Sequence, residues 1–300
     1  MSNGEQARDD LGRAALYMTL TALFIPILNA GAKYLATRYP VIEIVWARYA
    51  GHFIYMIIAF APRRGLNLLV ANRPFLQLAR STLLCSSTAV FVSALPYVPL
   101  TTATAIAFTG PLIVTALAPL LLSERVGLAR WVAVFAGFAG ALIVIRPGAD
   151  DMNAAGFLFI LSATFSALYQ ILSRKLAAFD RAETSITYIA LAGFVLTTIP
   201  LPFVWVTPTS LKDAAILFSL GIFGGFGHYF LVRAFELAPA PFVAPFNYLN
   251  LIGAAILSVL AFGQYPDIWL WLGAAVIIAS GLFNLLSEQR QRARRTSNDT

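Results

Sequence analysis

Charged residues are scarce in this 300-residue sequence. Asp, Glu, Lys and Arg make up 12% of it and hydrophobic residues make up 59%, whereas typical soluble domains have roughly 25% charged and about 45–50% apolar residues. A water-soluble globule of this size cannot bury that much apolar surface, but a lipid bilayer removes the need to bury it. The composition therefore predicts a protein that resides in a membrane.

Features of several other protein classes are absent. The sequence has no GxxxxGK[ST] phosphate loop, which excludes direct ATP hydrolysis. It has two histidines and no HExxH motif, and no carboxylate pair falls mid-span, so an intramembrane enzyme is disfavoured and neither a metal site nor a cofactor is predicted. The basic residues are scattered between apolar runs, which argues against nucleic-acid binding. The single cysteine, Cys85, cannot form an internal disulfide and does not indicate a redox compartment.

Ten apolar runs are long enough to cross a bilayer, which takes about 20 residues per helix. Their length and their lack of apolar–polar alternation indicate helices rather than barrel strands, so the predicted fold class is an all-α membrane protein. The polar N-terminus lacks the layout of a cleavable signal peptide, so the first run is expected to be retained. The predicted spans are 14–35, 41–61, 75–95, 100–122, 130–147, 154–176, 184–206, 213–235, 241–262 and 268–287.

Lys and Arg are distributed unevenly between the two sides of these spans. Fifteen fall on the side of the two termini and four on the other side, while Arg48 and Arg80 lie within spans. Because cytoplasmic loops carry the excess of basic residues, the sequence predicts that the tails 1–13 and 288–300 are cytoplasmic. The expected protein crosses the bilayer of the bacterial inner membrane many times.

The two halves of the sequence resemble each other at a constant offset. Segment 94–99 aligns with 234–239, and Trp131 aligns with Trp271. The halves, 14–147 and 154–287, each hold five predicted helices. Five is odd, so the second copy enters the membrane from the opposite side, which gives two inverted repeats around a pseudo-two-fold axis. Such halves can exchange conformations around a central site, which favours a carrier with alternating access over a channel.

The ends of both halves resemble a known family. Residues 111–148 (PLIVTALAPLLLSERVGLARWVAVFAGFAGALIVIRPG) and 244–283 (APFNYLNLIGAAILSVLAFGQYPDIWLWLGAAVIIASGLF) are similar to the end of an EamA domain of the drug/metabolite transporter superfamily. The resemblance implies ten helices, a cavity between the halves and a small-molecule substrate. The acidic residue of the pattern is Glu124 in the first half, but Gln264 takes its place in the second.

The resemblance also bears on the substrate, because similar members include amino-acid exporters and carriers for S-adenosylmethionine or riboflavin. We therefore expect a secondary transporter that exports an amino acid or a related compound. The alternative is uptake or exchange of S-adenosylmethionine, riboflavin or a similar metabolite, and a channel or an intramembrane enzyme is more remote. The sequence leaves the oligomeric state open, with a homodimer as one alternative.

Ionisable residues within spans are costly to bury and are the first candidates for a substrate site. Arg48 and His52 lie four residues apart on one face of the second span. Arg48 can hold a substrate carboxylate, and His52 can take up a proton near neutral pH. The structural alternative is that Arg48 pairs with Glu43 or with backbone carbonyls. His228 lies beside Tyr229 in the eighth span, where it either lines the cavity or forms a core hydrogen bond.

Polar residues at mid-depth indicate which other spans face the cavity. An unpaired amide costs several kcal/mol to bury, and a tyrosine supplies an aromatic wall with a hydroxyl. These further candidates are Asn29, Tyr169, Gln170, Asn247, Tyr248 and Asn250. Prolines inside spans remove a backbone donor and tend to kink a helix. Those in the first, fourth and ninth spans are Pro26, Pro111, Pro119, Pro241 and Pro245.

Three further features are expected to be structural. Arg80 lies near the cytoplasmic edge of the third span and is expected to extend its charged end to the interface. Glu124 and Arg125 are expected to form an ion pair. The Gly221-x-x-x-Gly225 spacing is expected to permit a close approach between helices.

Overall fold

The computed structural model describes residues 3–122, 126–146, 152–176, 179–238 and 240–298, and every regular element in these ranges is helical. Two short 3₁₀ turns, Gly65–Leu69 and Leu95–Tyr97, lie beside the α-helices. The α-helices are α1 (Asn3–Ala36), α2 (Val41–Arg64), α3 (Pro74–Ala94), α4 (Leu100–Ala107), α5 (Gly110–Leu121), α6 (Leu128–Ile145), α7 (Met152–Leu176), α8 (Ala182–Thr198), α9 (Leu201–Val204), α10 (Leu211–Leu237), α11 (Ala240–Asn247), α12 (Leu249–Phe262) and α13 (Ile268–Asn298). The predicted all-α fold class is confirmed.

Nine stretches of the described chain are long and apolar enough to cross a membrane. They are Asp10–Ala36, Val41–Ile58, Pro74–Tyr97, Leu100–Leu121, Leu128–Ile145, Ala155–Leu176, Leu211–Leu231, Pro245–Phe262 and Ile268–Ser287. Each coincides with one of the ten predicted spans, with ends that differ by a few residues. The chain is therefore a multi-pass membrane protein.

The seventh predicted span, 184–206, corresponds to α8 and the short α9. Helix α8 has 17 residues, which is at the lower end of the roughly 17–25 residues that a spanning helix needs. It ends at Thr198, two residues before Pro200, which has no backbone N–H with which to continue the helical hydrogen bonds. The count of ten crossings stays a prediction.

Contacts between α1 and α10 define the two sides of the bundle. Ala14, near the start of α1, packs with Ala234 near the end of α10, while Gly31 faces Ile216 near the start of α10. We call the side where α1 begins and α10 ends the mouth side, and the opposite side the far side. Helix α13 ends on the mouth side, because its Asn284 accepts a hydrogen bond from Arg130 near the start of α6.

Two of the predicted spans, the fourth and the ninth, are broken within their length. Helices α4 and α5 are separated at Phe108 and Thr109, just before Pro111. Helices α11 and α12 are separated at Tyr248, three residues after Pro245. Proline has no backbone N–H with which to continue the helical ladder, which accounts for the break before Pro111. Helix α11 runs through Pro245, so the missing N–H does not by itself explain the break at Tyr248.

The other prolines behave differently. Helix α1 runs unbroken through Pro26, whose ring lies against Gly253 of α12. Pro119 lies inside α5 two residues before its end, and Pro241 lies near the start of α11. The two broken stretches are the fourth and ninth predicted spans, which the internal sequence alignment pairs with each other.

The helices of one half pack mainly against those of the other half. Helix α1 packs against α10 and α12, α3 against α7 and α8, α2 against α8 and α10, and α6 against α13. The apolar core between them includes Leu28, Leu35, Leu95, Leu100 and Phe159, each at most 1% exposed. The two halves therefore share one core.

The structure corrects the expectation for Arg80. Its side chain does not extend to the interface, because the residue is 3% exposed and donates a hydrogen bond to the Ser185 carbonyl at 2.5 Å. A second bond runs to Ser173 Oγ at 3.4 Å. The start of α8 covers the guanidinium, which therefore ties α3 to α7 and α8. The expected Glu124–Arg125 ion pair lies outside the described residues.

Candidate functional site

A cavity of about 760 Å³ lies among α2, α7, α8 and α10, with Leu84 of α3 in its wall. Its volume falls within the roughly 300–1,000 Å³ of small-molecule sites. The cavity reaches from mid-depth, at Arg48 and Tyr49, to the mouth side, at Arg233 and Glu236. It is therefore placed to admit a solute from the mouth side.

The polar centre of the cavity joins α2 to α10. Arg48 Nη2 lies 3.4 Å from His228 Nε2. The rings of His52 and His228 are stacked, with centroids 5.8 Å apart and planes 2° from parallel. Three nitrogen-bearing side chains therefore meet at one point of the cavity wall.

Arg48 forms no ion pair with any carboxylate that the structure describes. The alternative partner Glu43 instead accepts a hydrogen bond from the Val206 N–H at 3.1 Å, so the Arg48–Glu43 pair is not formed. A guanidinium within a membrane span needs an anionic or polar partner. A carboxylate matches it well, because the two groups form paired charge-assisted hydrogen bonds.

Two glycines allow this centre to assemble. A Cβ on Gly221 would lie 2.4 Å from Gly51 Cα, so α2 and α10 cross in backbone contact. This crossing lies beside Arg48 and His52 on α2, and brings His228 within reach of both. Gly225 is less restricted, because a Cβ there would lie 3.7 Å from Tyr55. Of the two glycines in the Gly221-x-x-x-Gly225 spacing, Gly221 is therefore the one at the close helix approach.

Aromatic side chains form most of the remaining wall. Tyr55 and Tyr229 meet edge to face with centroids 6.2 Å apart. The Arg80 guanidinium lies 5.5 Å from the centre of the Tyr169 ring. Tyr49 is buried, with its hydroxyl 3.3 Å from Thr88 Oγ1. Such walls pair an apolar face with a polar tip, which suits an organic solute with a planar or apolar part.

The mouth of the cavity carries charges of both signs. Arg233 and Glu236 form an ion pair at 2.7 Å, with side chains 44% and 51% exposed. Glu183 lies at the start of α8 on the same rim. A surface pair of this kind contributes little stability.

On the far side, polar contacts join the two halves and close the bundle. The Tyr39 hydroxyl donates to Asp213 Oδ2 at 2.8 Å, and Arg146 pairs with Asp267 at 2.7 Å. Together with the Glu43–Val206 bond, they connect the ends of α1, α2 and α6 to elements of the second half. We call these three the far-side contacts.

The structure brings five of the ten candidate side chains to the cavity. Arg48, His52, Tyr169, His228 and Tyr229 line it.

The other five candidates are not among the residues that line the cavity. Asn29 is half-buried in α1 and Gln170 is exposed on α7. Asn250 Nδ2 donates to the backbone carbonyl and the side-chain oxygen of Asn247 at 2.8 and 2.9 Å, while Asn250 Oδ1 is buried and has no hydrogen-bond partner among the described residues. Tyr248 packs edge to face on Phe108 with centroids 5.0 Å apart.

Sequence reasoning missed several lining residues, among them Tyr55, Met56 and Phe226. Tyr55 and Met56 follow His52 by one turn, and therefore continue the face that Arg48 and His52 define. That periodic signal was sufficient to find them. Phe226 carries no such signal, since phenylalanine is common on lipid-facing surfaces.

A membrane-embedded helical bundle with a solute-sized cavity defines the class of the molecule as a multi-pass membrane transporter. The EamA-like transporter family matches residues 12–146 and again residues 153–286. The chain belongs to this family and is a small-molecule transporter rather than an enzyme.

Curated relatives are similar over most of their length. The chain is 32% identical to a Rickettsia bellii protein named S-adenosylmethionine uptake transporter, over 88% of this chain and 90% of the relative. It is 31% identical to a Rhizobium johnstonii protein named riboflavin transporter, over 92% of each. It is 26% identical to a Pseudomonas aeruginosa protein named pseudopaline exporter, over 91% of this chain and 95% of the relative. These names include both uptake and export.

A solved protein structure shares the fold. It superposes with a TM-score of 0.65 and covers 92% of this chain and 97% of its own. Its sequence identity is 19%, so the likeness concerns the fold alone.

Proposed function

We propose that the chain is a secondary carrier that moves a carboxylate-bearing metabolite, an amino acid or an amino-acid derivative, by alternating access. The observation that carries this proposal is Arg48, a guanidinium in the wall of the cavity without a carboxylate partner among the described residues. A substrate carboxylate would supply the missing charge. Export is the direction that we propose for net flux in the cell.

The packing supports two repeats that can exchange conformations. If α1 corresponds to α7 and α3 to α10, then the α1–α10 contact and the α7–α3 contact are the same contact seen from each half. Phe108 and Tyr248, which align with each other, meet at the two helix breaks. The family matches the chain twice, close to the proposed halves 14–147 and 154–287. We propose that the halves are inverted five-helix repeats.

The excess of Lys and Arg on the mouth side supports a cytoplasmic location for both termini. In that orientation the cavity opens to the cytoplasm and the far-side contacts close the bundle to the outside. This is the state that an exporter needs to load its substrate.

Uptake or exchange of S-adenosylmethionine is the second candidate, because a relative carries that name. The compound has an amino-acid carboxylate for Arg48 and a planar base for the tyrosine walls. Riboflavin lacks a carboxylate, so the unpaired guanidinium favours S-adenosylmethionine over riboflavin within this alternative.

Flux into and out of proteoliposomes tests the proposal. Saturable flux of a labelled amino acid or S-adenosylmethionine, with counterflow, supports a carrier. Linear flux would indicate a channel, and a chemically altered product would indicate an enzyme. Comparing preloaded and empty vesicles measures both directions.

The role of Arg48 is tested by Arg48→Ala in the same assay. Losing a charge-assisted hydrogen-bonded pair costs about 3 kcal/mol, so kcat/KM should fall about 100-fold. Arg38→Gln is the matched control, because Arg38 is exposed on the far side and stacks on Tyr34. Membrane insertion and melting temperature should stay near those of the parent. A variant that does not fold would show instead that Arg48 is structural.

A further inference from the structure

We propose that a second site on the mouth side binds the headgroup of an anionic phospholipid. A groove of about 820 Å³ lies between the start of α3 and the end of α7. Arg73, Phe75, Lys175 and Phe179 are among its lining residues. It shares no lining residue with the substrate cavity, so the inference does not depend on the proposed function.

The depth of the groove matches the membrane interface. One wall is the first turn of α3, where the membrane stretch Pro74–Tyr97 begins, and the other is the last turn of α7, where the stretch Ala155–Leu176 ends. Both stretches meet the aqueous phase at this level. A phospholipid places its phosphate at the same depth.

Two cations face this groove without a described anionic partner. Arg73 and Lys175 are exposed, and neither forms an ion pair within the described part of the chain. The Arg73 guanidinium lies over the Phe179 ring, 5.0 Å from its centroid, which limits its freedom. One cation comes from each half of the chain, so an anion between them would connect the halves.

The neighbouring acid forms no described ion pair with these cations, which outnumber it. Asp180 is 8% exposed, and its carboxylate is occupied by the Asn72 N–H at 2.6 Å and the Gln77 amide at 2.9 Å. The carboxylate is therefore held on the inner side of the loop. The groove keeps a positive character that complements a phosphate.

Apolar side chains beside the cations select a lipid over a soluble phosphate. Phe75 is 86% exposed and Leu78 is 45% exposed on the outer face of α3. Both residues lie within the membrane stretch that starts at Pro74. Acyl chains can cover them while the headgroup binds Arg73 and Lys175, which a free anion cannot do.

Thermal unfolding of the full chain in phosphatidylcholine nanodiscs, with and without phosphatidylglycerol, tests the site. Phosphatidylglycerol should raise the melting temperature of the parent protein, and native mass spectrometry should show it retained over phosphatidylcholine. The Arg73→Gln/Lys175→Gln variant should bind phosphatidylglycerol about 25-fold more weakly, since each basic residue near an anionic surface contributes about fivefold. Its melting temperature in pure phosphatidylcholine should match the parent, because both side chains are exposed.

A matched control is Arg38→Gln/Lys212→Gln. These two exposed cations both stack on Tyr34, but lie on the far side. This variant should keep the full response to phosphatidylglycerol. An equal loss in both variants would show a general charge effect and overturn the proposal, as would a response that survives Arg73→Gln/Lys175→Gln.

Glycerol 3-phosphate in the phosphatidylcholine nanodiscs separates the two sources of phosphate. It should leave the melting temperature unchanged, because it lacks the acyl chains that cover Phe75. A stabilisation as large as that of phosphatidylglycerol would assign the groove to a soluble anion instead. If the double variant does not insert, Lys175→Gln alone carries the test, with an expected loss of about fivefold.

Discussion

Lys33 offers the sharpest test of how the far side is held closed. The residue is 3% exposed at the end of α1. Its ammonium donates to the Leu95 carbonyl at 3.1 Å and also to the Val98 carbonyl. It lies 5.2 Å from the centre of the Phe262 ring, which belongs to the second half. Within the described residues it forms no ion pair, so the carbonyls are its main partners.

Lys33→Met removes the ammonium and keeps a side chain of similar length. The Leu95 and Val98 carbonyls belong to residues that are 0% and 2% exposed, and a buried acceptor left without a donor costs about 1–3 kcal/mol. The variant no longer buries a charge, which offsets part of this loss. A net cost of about 3 kcal/mol follows. If these contacts form only when the far side is closed, their loss changes the ratio of far-side-closed to far-side-open protein about 100-fold.

Hydrogen exchange in nanodiscs, read by mass spectrometry, measures this shift. In Lys33→Met, amides near the far-side contacts should exchange faster, both in Leu95–Tyr97 and around Val206 and Asp213. Amides around Arg233 at the mouth should exchange more slowly, because closing the mouth accompanies opening of the far side. Faster exchange confined to Leu95–Tyr97, or a lower melting temperature with no change at the mouth, would refute this reasoning and make Lys33 a local structural contact.

Two further predictions concern stability. Gly221→Val should lower the free energy of unfolding by about 1–3 kcal/mol, since its first added carbon would lie 2.4 Å from Gly51 Cα. Gly225→Ala, whose Cβ would lie in ordinary van der Waals contact 3.7 Å from Tyr55, should unfold at the parent temperature, and equal melting temperatures for both variants would contradict the crossing described here. Burial raises the pKa of Asp180, but hydrogen bonds from Gln77 and the Asn72 region outweigh it and leave that pKa below its usual value. The resulting stability is present above about pH 4 and is lost as the pH falls through the folded-state pKa. Melting curves below pH 4 should therefore converge for the parent and Asp180→Asn, and a difference that persists in acid would contradict this.

The sequence was sufficient for features that depend on the bilayer. Run length alone located nine of the spanning stretches, because hydrocarbon thickness sets helix length. Arg48 and His52 line the cavity. This is expected of ionisable residues inside a span, because they are costly to expose to lipid and therefore face the bundle interior. The helix break before Pro111 follows from the missing N–H of proline.

The remaining features depend on tertiary contacts that one sequence does not reveal. The amides Asn247 and Asn250 were candidates because unpaired amides are costly, but Asn250 donates to Asn247 within one turn and neither residue lines the cavity. Arg80 was expected to reach the interface because the sequence shows that it lies near the end of its span. The sequence does not show that the start of α8 packs over its guanidinium. Lys33 was not singled out, because its carbonyl partners lie more than sixty residues away.

Three modest contacts, rather than one strong one, join the two halves on the far side, and this arrangement suits the proposed carrier. The Arg146–Asp267 pair is about two-fifths exposed and contributes at most about 1 kcal/mol. Each of the buried hydrogen bonds at Tyr39 and Glu43 contributes about 1 kcal/mol, or somewhat more because a carboxylate is involved. These three contacts together contribute a few kcal/mol. Inverting a two-state equilibrium from 1:99 to 99:1 takes about 5.5 kcal/mol of differential binding, which a substrate that pairs with Arg48 and packs on the tyrosine walls can approach. A single buried ion pair of much greater strength would hold the molecule in one state, and the cavity would then bind its solute without releasing it on the other side.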